Sequence, residues 1–232
     1  MNPTRQIEIP ARVDVEAVTK RVTTSKTSPR HHEMLKELAQ TALESARPAG
    51  VYRLSHTDSN DGLHVVIDGV TFTSKVLSKL LAGRETVVPF VVTGGKELME
   101  MAAPRGDMMK QFYLDMIKTV IVANAVEYLR QWVCEENSLP KTALMNPGEI
   151  EDWDITEQKP LFQLLGDVEK LIGVTLTEGD VMKPIKSRSG IIFPNETGFE
   201  TCQLCVQVKC PGRRCKFDPE LYKQYLGKSS AK

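Results

Sequence analysis

Four of the five cysteines in this 232-residue chain lie close together near its C-terminus. They are Cys202, Cys205, Cys210 and Cys215, with the spacing C-x2-C-x4-C-x4-C. A C-x2-C pair lets two thiolates reach one metal from a tight turn, and the intervening Pro211-Gly212 allows the chain to bend back. Four thiolates suit Zn²⁺ or an iron–sulfur cluster better than they suit metals that prefer carboxylates. The motif therefore predicts an all-cysteine metal site that holds a [4Fe–4S] cluster or zinc.

The surroundings of these cysteines bear on their chemistry. Lys209, Arg213, Arg214 and Lys216 flank them, and such cations offset the charge of thiolates and raise the reduction potential of a cluster. Free thiols and disulfides are the alternatives. The N-terminal segment has no apolar signal region, so we expect a cytoplasmic protein whose thiols stay reduced. The fifth cysteine, Cys134, is predicted to be a small apolar core residue.

Composition argues against several classes of function. Lys+Arg and Asp+Glu number 30 each, so the formal net charge is zero, whereas a nucleic-acid-binding protein usually shows a basic excess. There is no run of about 18 apolar residues, so no transmembrane helix is expected. A membrane-surface role is equally unsupported. Hydrophobic residues at 41% and charged residues at 26% are typical of a soluble globular protein.

Helical periodicity is strongest at residues 106–137, where Asp107 can cap the helix and a wide apolar face predicts burial on several sides. Shorter helices are predicted at 31–46, at 74–83, in two pieces over 157–173, and at 218–227, where Asp218, Pro219 and Gly227 supply start and stop signals.

Strand signals lie between these helices. Residues 63–72 predict a hairpin that turns at Asp68-Gly69. Residues 85–95 predict a buried strand in which Pro89 argues against a central position. Short strands are expected at 175–178 and 189–193. Because strands and helices mix without a regular βαβ rhythm, the predicted fold class is α+β.

Three segments are predicted along the chain. Residues 1–29 are polar and form an N-terminal extension that ends in the connector 23–29. Residues 30–200 form the α+β domain. Residues 201–232 form a cysteine-rich tail with a C-terminal helix.

Several residues outside the tail could do chemistry, each with a structural alternative. Glu178 and Asp180 could act as an acid–base pair, although exposed carboxylates at a strand end are the commoner outcome. Trp153, in the long loop 138–154, could stack on an adenine or a corrin edge, or could anchor the core. Turn chemistry alone makes Ser187-Arg188-Ser189-Gly190 a turn that enters a strand. Its hydroxyls and amides could also line a ligand groove.

Residues 147–193 resemble the activation domain of cobalamin-dependent methionine synthase. Four landmarks carry the resemblance, in the order and spacing of that family: Pro147-Gly148, then LFQLLGDVEKLIGVTLTE (161–178), then Met182 with Pro184, then Ser187-Arg188-Ser189-Gly190 before a hydrophobic strand. The upstream helix suits the family's central helix. Freestanding relatives of this domain also tend to have a cysteine-rich tail.

The resemblance implies a C-shaped α+β domain with a twisted antiparallel sheet and a long central helix. Such a domain binds S-adenosylmethionine and caps the cobalamin of methionine synthase. It supports reductive methylation of Co(II)-cobalamin with an electron from a donor protein. The implied partners are thus a cobalamin-binding methyltransferase or corrinoid protein and an electron donor protein.

The resemblance also implies a ligand face, although its ligand motif is altered. The face would contain Pro147, Gly148, Ser187, Ser189 and Gly190. The family's motif reads R-x-x-x-G-Y, but here Leu144 takes the place of Arg and Glu149 that of Tyr. Leu144 cannot pair with a ligand carboxylate, whereas Glu149 could face a sulfonium; Lys141 is a nearby substitute for the missing cation.

These observations lead to three alternative functions. The first is an activation protein for a cobalamin-dependent methyltransferase, expected to be methionine synthase, in which the cysteines hold a cluster that relays the electron. The second is a metal-stabilised, non-catalytic binding module for a corrinoid protein, which the altered ligand motif allows. The third is a corrinoid methyltransferase component that uses another methyl donor.

Overall fold

The computed structural model describes residues 2–22, 29–207, 209–210 and 212–227. Except for Pro29, the predicted connector 23–29 lies outside these residues. The strands are β1 Arg5–Glu8, β2 Ala49–Tyr52, β3 Ser55–Asn60, β4 His64–Ile67, β5 Val70–Thr73, β6 Thr86–Thr93, β7 Thr142–Met145, β8 Thr175–Leu176, β9 Met182–Lys183 and β10 Ser187–Pro194. The helices are α1 Val15–Val22, α2 Pro29–Ser45, α3 Lys75–Leu81, α4 Lys96–Glu100, α5 Met108–Glu136, α6 Gln158–Leu165, α7 Val168–Ile172 and α8 Pro219–Leu226, with 3₁₀ turns at Ile155–Glu157 and Thr201–Gln203.

An eight-stranded antiparallel sheet runs through the described residues, with β6 near its middle. One side of β6 pairs with β10, and the other side pairs first with β2 and then with β3. β10 in turn pairs with β7, and β8 and β9 form a separate hairpin. The sheet is curled and carries a long helix, so the predicted α+β fold is confirmed.

Pro89 lies in this central strand, although its presence in the sequence counted against a central position. Its carbonyl accepts a hydrogen bond from the Arg53 amide at 3.1 Å. In an antiparallel ladder the N–H and C=O of one residue point to the same side. The missing donor of Pro89 therefore faces Arg53-Leu54, where the chain passes from β2 to β3, and it does not interrupt the pairing with β10.

Alternation along β6 builds two cores on opposite faces of the sheet. Val87 and Val91 pack on one face with Trp153 and helices α3, α6 and α7. Val88 and Phe90 pack on the other face against α5. A further cluster joins α5 to α1 and α2. The long helix thus covers one face of the sheet, and shorter helices cover the other.

The N-terminal segment belongs to this architecture, although the sequence predicts an extension there. β1 pairs with β2 over Arg5–Glu8, and α1 packs beside α2 and α5. The sequence offers little indication of β1, because this strand has only four residues and their side chains are largely exposed. Its place is therefore set by backbone pairing and not by an apolar pattern.

Several local signals were accurate, although β2, β3 and β7 were not predicted and β7 lies within the predicted loop 138–154. The hairpin between β4 and β5 turns at Asp68 and Gly69, both with positive φ. The Asp107 carboxylate caps α5 by accepting from the Lys110 amide at 3.0 Å. Asp218 caps α8, and Gly227 ends it in the left-handed conformation.

Lys118 is a buried cation within α5, with 4% of its surface exposed. Its ammonium donates to the carbonyl oxygens of Met99, at 3.3 Å, and Met101, at 2.6 Å, at the end of α4. Burial lowers the pKa of this ammonium. Lys118 therefore satisfies helix-terminal carbonyls and ties α4 to the long helix.

Gly190 allows β10 and β7 to approach closely. A Cβ at this position would lie 2.9 Å from Asn146 Nδ2 and closer still to the Met145 carbonyl oxygen. The Asn146 amide in turn donates to the Ser189 carbonyl. Gly190 is therefore needed for backbone packing where the two strands meet.

We expect Gly190→Ala to destabilise the protein by about 1–3 kcal/mol, because an added methyl group must displace the β7 backbone. Chemical denaturation measures this loss. Gly179→Ala is the matched control, since nothing lies within 4 Å of its Cβ position. Equal stability of the two variants would contradict a packing role for Gly190.

Candidate functional site

A surface groove lies where α5 crosses the β7–β10 edge of the sheet. It consists of two cavities of about 360 Å³ and 340 Å³ that share Ala123, Arg188 and Arg214. Cavities of this size accommodate small-molecule ligands. The first cavity is also lined by Val126, Glu127, Arg130, Lys141, Thr142, Ala143, Leu144, Gly198, Phe199 and Glu200, and the second by Thr119, Val122, Ile185, Lys186, Ser187 and Gly212.

Strand alternation decides which residues face this groove. In β10, Ile191 and Phe193 pack in the core opposite α5, whereas Ile192 packs toward α5. Arg188 has the same parity as Ile192 and lines both cavities. In β7, Leu144 faces the groove for the same reason.

The two serines predicted for the ligand face are engaged within the fold. Ser187 borders the second cavity, but its hydroxyl lies 2.7 Å from the Pro184 carbonyl and 3.0 Å from Thr93 Oγ1. The Ser189 hydroxyl is buried and donates to Gln158 Oε1 at 3.2 Å. The residue of this segment that reaches well into the groove is Arg188.

The loop of the altered ligand motif begins directly after β7. Pro147 is buried and Gly148 is exposed, with a φ of +82° that favours glycine. The Gly148 amide donates to the Trp153 carbonyl at 2.7 Å. A Cβ at Gly148 would also lie 2.9 Å from Ile155 Cδ1. Gly148 therefore shapes a tight loop at the edge of the groove.

Trp153 holds that loop from below. Its side chain is 0% exposed and packs in the core with residues of β6 and β10. Its ring has no exposed face for an adenine or a corrin, which favours the core anchor over stacking, the two alternatives that the sequence left open. Its carbonyl fixes the loop that carries Gly148.

Glu149 forms an ion pair with Arg188 across 39 positions of sequence. The contact joins Glu149 Oε1 to Arg188 Nη2. Glu149 Oε2 is buried and has no hydrogen-bond partner among the described residues. A buried carboxylate oxygen without a donor is costly, so this oxygen is a candidate acceptor, although Glu149 borders neither of the two cavities directly.

Two further ion pairs lie along the groove. Arg130 is bidentate to Glu127, at 2.6 and 2.9 Å, and also donates to the carbonyl and hydroxyl of Thr142. Burial opposes ionisation of Glu127, but Arg130 outweighs it and lowers the Glu127 pKa. At the opposite end, Lys186 pairs with Asp115 at 2.8 Å.

The cysteine-rich tail supplies the remaining wall of the groove. Arg214 Nε donates to Glu200 Oε2 at 2.8 Å. Burial works against the charge of Arg214, but Glu200 and Glu149 outweigh it and raise the Arg214 pKa. The tail is therefore part of the groove and not a separate appendage.

Arg213 organises the backbone of the cysteine loop. Its guanidinium donates four hydrogen bonds of 2.7–3.1 Å. The acceptors are the carbonyls of Cys202, Cys205, Gln207 and Cys215. A single planar cation thus closes the loop that carries the thiols.

The four thiols of this loop are free and half-buried. Burial raises the pKa of Cys215, with a further contribution from Cys202. Among the described side chains, no group of three or more His, Cys, Asp or Glu residues is positioned to hold a metal ion. The donor types suit a soft metal, but the present side-chain positions do not form a binding site.

The two predicted carboxylates lie apart from the groove. Glu178 is exposed in the turn between β8 and β9, and Asp180 is buried and pairs with Lys159 at 3.1 Å. Asp180 has a φ of 60°. Glu178 is therefore solvent-exposed and Asp180 is ion-paired, as expected for carboxylates in a surface turn. This placement gives no support to an acid–base pair.

The sequence pointed to the segments that border this groove, and the structure adds Arg188 and Arg214, which were not among the predicted ligand residues. Arg188 was recognisable from the alternation of β10, because Ile192, four residues later, is apolar on the same face. Arg214 was grouped with the cysteines on charge alone. Its place in the groove depends on a fold of the tail that no local pattern reports.

The fold can now be compared with solved structures. The reactivation domain of MetH bound to AdoHcy matches with a TM-score of 0.63 over 98% of this chain and 90% of that chain, at 17% sequence identity. No protein-family model and no curated protein matches the sequence. This chain therefore has the fold of the MetH reactivation domain, as its resemblance to activation domains predicted. None of the helices described combines the length and apolar character that crossing a bilayer requires.

We expect Arg213→Ala to unfold the cysteine loop locally, because charge-assisted hydrogen bonds to four carbonyls are lost, at a cost of about 2 kcal/mol or more. Thermolysin digestion with mass spectrometry should show new cleavage within residues 201–217. Lys216→Ala is the control, since Lys216 makes no hydrogen bond within the described part of the chain. Unchanged protection in Arg213→Ala would contradict the organising role.

Proposed function

We propose that this chain is an activation protein for a cobalamin-dependent methyltransferase, with methionine synthase as the expected partner. It would bind S-adenosylmethionine in the groove between α5, β7 and β10. The observation that carries the proposal is the fold match, over nearly the whole chain, to a reactivation domain bound to AdoHcy. The ligand-motif positions Leu144 and Glu149 lie at or beside the groove, which supports the same ligand site.

The groove residues would divide the work of binding. Ala123, Val126 and Leu144 offer an apolar surface to the adenosyl group. The ion-paired side chains around them would hold the polar end of the ligand. The sulfonium, which is the centre that gives up the methyl group, would lie between the adenosyl group and the polar end of the ligand.

Exposed apolar side chains near the groove would meet the corrinoid partner. Ile185 is 65% exposed and lines the second cavity, and Met108 and Phe112 are exposed on α5 at 84% and 51%. Positions 108, 112, 115 and 119 share one helix face, and Lys186 contacts Asp115 and Thr119. These apolar residues therefore lie at one end of the groove, where a partner would present its corrinoid.

The proposed reaction restores an inactive corrinoid. The partner's Co(II) centre gains one electron from a donor protein and the methyl group of S-adenosylmethionine, and S-adenosylhomocysteine is released. This chain would bind and orient the methyl donor and shield the site from water. It would act as an activator of its partner.

We expect anaerobically purified protein, given S-adenosylmethionine and reductant, to convert the Co(II) spectrum of a cobalamin-loaded methionine synthase that lacks its own activation domain. Omitting S-adenosylmethionine is the control and should leave the Co(II) spectrum unchanged. If the complete mixture also leaves it unchanged, the activation function is wrong.

A non-catalytic binding module is the second candidate, favoured by the Glu149–Arg188 ion pair in the altered ligand motif. Such a module would bind the corrinoid partner but not S-adenosylmethionine. Calorimetry separates the two candidates, since measurable affinity for S-adenosylmethionine supports activation and its absence supports the module. A corrinoid methyltransferase component with another methyl donor would also bind no S-adenosylmethionine, and competing donors would then be tested.

We further propose that Cys202, Cys205, Cys210 and Cys215 bind a [4Fe–4S] cluster or zinc after a rearrangement of their side chains. Their spacing, their free thiols and the closed loop around Arg213 support this. A cluster would supply the one-electron chemistry of the proposed reaction, whereas zinc would stabilise the tail.

Anaerobic purification followed by metal analysis decides between these alternatives. We expect about one cluster or one zinc ion per chain, lost in Cys205→Ser and retained in Cys134→Ser, because Cys134 lies outside the loop. A brown protein with a broad band near ~400 nm indicates iron–sulfur charge transfer. Absence of both metals from the wild-type protein would contradict the metal site.

A further inference from the structure

We propose that Arg214 and Glu149 together bind the amino-acid end of the ligand, Arg214 taking its carboxylate and Glu149 its ammonium. The inference rests on the proposed function, in which the ligand is an S-adenosyl amino acid. It deepens that function by assigning the two charges of the zwitterion to two residues of this chain. One of them comes from the cysteine-rich tail.

The arginines of the first cavity differ in how many of their N–H donors remain free to bind a ligand carboxylate. All three donor nitrogens of Arg130 are already bonded to Glu127 or Thr142. Arg188 uses one nitrogen, Nη2, for its ion pair with Glu149, and a carboxylate bound to its other nitrogens would lie beside the Glu149 carboxylate. Arg214 contacts Glu200 through Nε, and its Nη1 and Nη2 have no hydrogen-bond partner among the described residues. The outer edge of this guanidinium is therefore available for a bidentate carboxylate.

Lys141 is the other cation of this cavity without an ion pair in the described structure, but it suits the role less well. Both residues are exposed, and 34% of the Arg214 side chain is accessible. The ammonium of lysine is a strongly hydrated point charge on a flexible stem. A guanidinium presents a planar fork that matches a carboxylate, so it loses less freedom for each hydrogen bond that it forms.

Glu149 supplies the opposite charge. Its Oε1 is used by Arg188, and its Oε2 is the buried acceptor without a partner. An α-ammonium brings up to three donors and would satisfy that oxygen. Glu at position 149 of the ligand motif would then supply an ammonium site, and Arg214, which lines the same cavity as Leu144, would supply the cation that position 144 lacks.

The neighbouring Arg213 makes this arrangement possible. It clamps the carbonyls of Cys202 and Cys215 on either side of Arg214 in the loop. The direction of the Arg214 side chain therefore depends on the closed form of the cysteine loop. Ligand affinity should accordingly fall when the loop opens, as in Arg213→Ala.

Calorimetry with two ligands can test the contribution of the amino-acid end to binding. S-adenosylhomocysteine carries this end, and 5′-methylthioadenosine lacks it. We expect Arg214→Ala and Glu149→Gln to weaken S-adenosylhomocysteine binding about ten- to a hundredfold while changing methylthioadenosine binding less than twofold. Arg214→Lys should recover part of the loss, because it restores the charge but not the fork.

Each other result contradicts the inference in a distinct way. Equal weakening of both ligands means that Arg214 has a structural role. Loss of S-adenosylhomocysteine binding in Lys141→Ala but not in Arg214→Ala assigns the carboxylate to Lys141. Arg105→Ala, at an exposed loop position, is the control for a general charge effect. Failure of the wild-type protein to bind either ligand would overturn the proposed ligand itself, and the inference with it.

Discussion

Strand β10 pairs with both β6 and β7, and the geometry of the groove depends on this double pairing. Gly190 allows the close approach to β7, and Asn146 bonds across the junction. The pairing sets the parity of β10, so that Arg188 faces α5 while the hydroxyls of Ser187 and Ser189 bond to Thr93 and Gln158. A shift of one residue would exchange these faces and remove the ion pair that links Arg188 to Glu149.

The groove combines an apolar floor with side chains of both signs. Most of its cations are paired within the protein, which limits the cost of placing several arginines in one half-buried site. Among the described side chains, those with unpaired groups include Lys141, the outer edge of Arg214 and the second carboxylate oxygen of Glu149. Free donors and a free acceptor beside an apolar surface match a zwitterion attached to a flat aromatic group.

The tail is joined to the domain by packing and by charge. Its helix α8 contributes Tyr222 and Tyr225 to the same core as Trp153. Two sets of hydrogen bonds hold the segment between residue 201 and α8. The Asp218 amide donates to the Gln203 carbonyl, and the Arg213 guanidinium donates to the cysteine carbonyls. A change at the thiols would therefore alter the position of the groove residue Arg214 through the backbone of the loop.

The sequence by itself determined the features that rest on local physics. Helix α5 follows from a long apolar periodicity and the Asp107 cap, the β4–β5 hairpin from Asp68-Gly69, and α8 from its capping residues. The tertiary structure decided the rest. β7 and β1 have four residues each and are defined by partners distant in the chain, which no local pattern specifies. The same holds for the site: the sequence predicted the loop that carries Gly148 and Glu149, the strand beside it, Trp153 and the serines. Only the fold shows Trp153 buried and brings Arg188 and Arg214 to one groove with Glu149 beside it. Long-range strand pairing and the hydrogen bonds of Arg213 place them there.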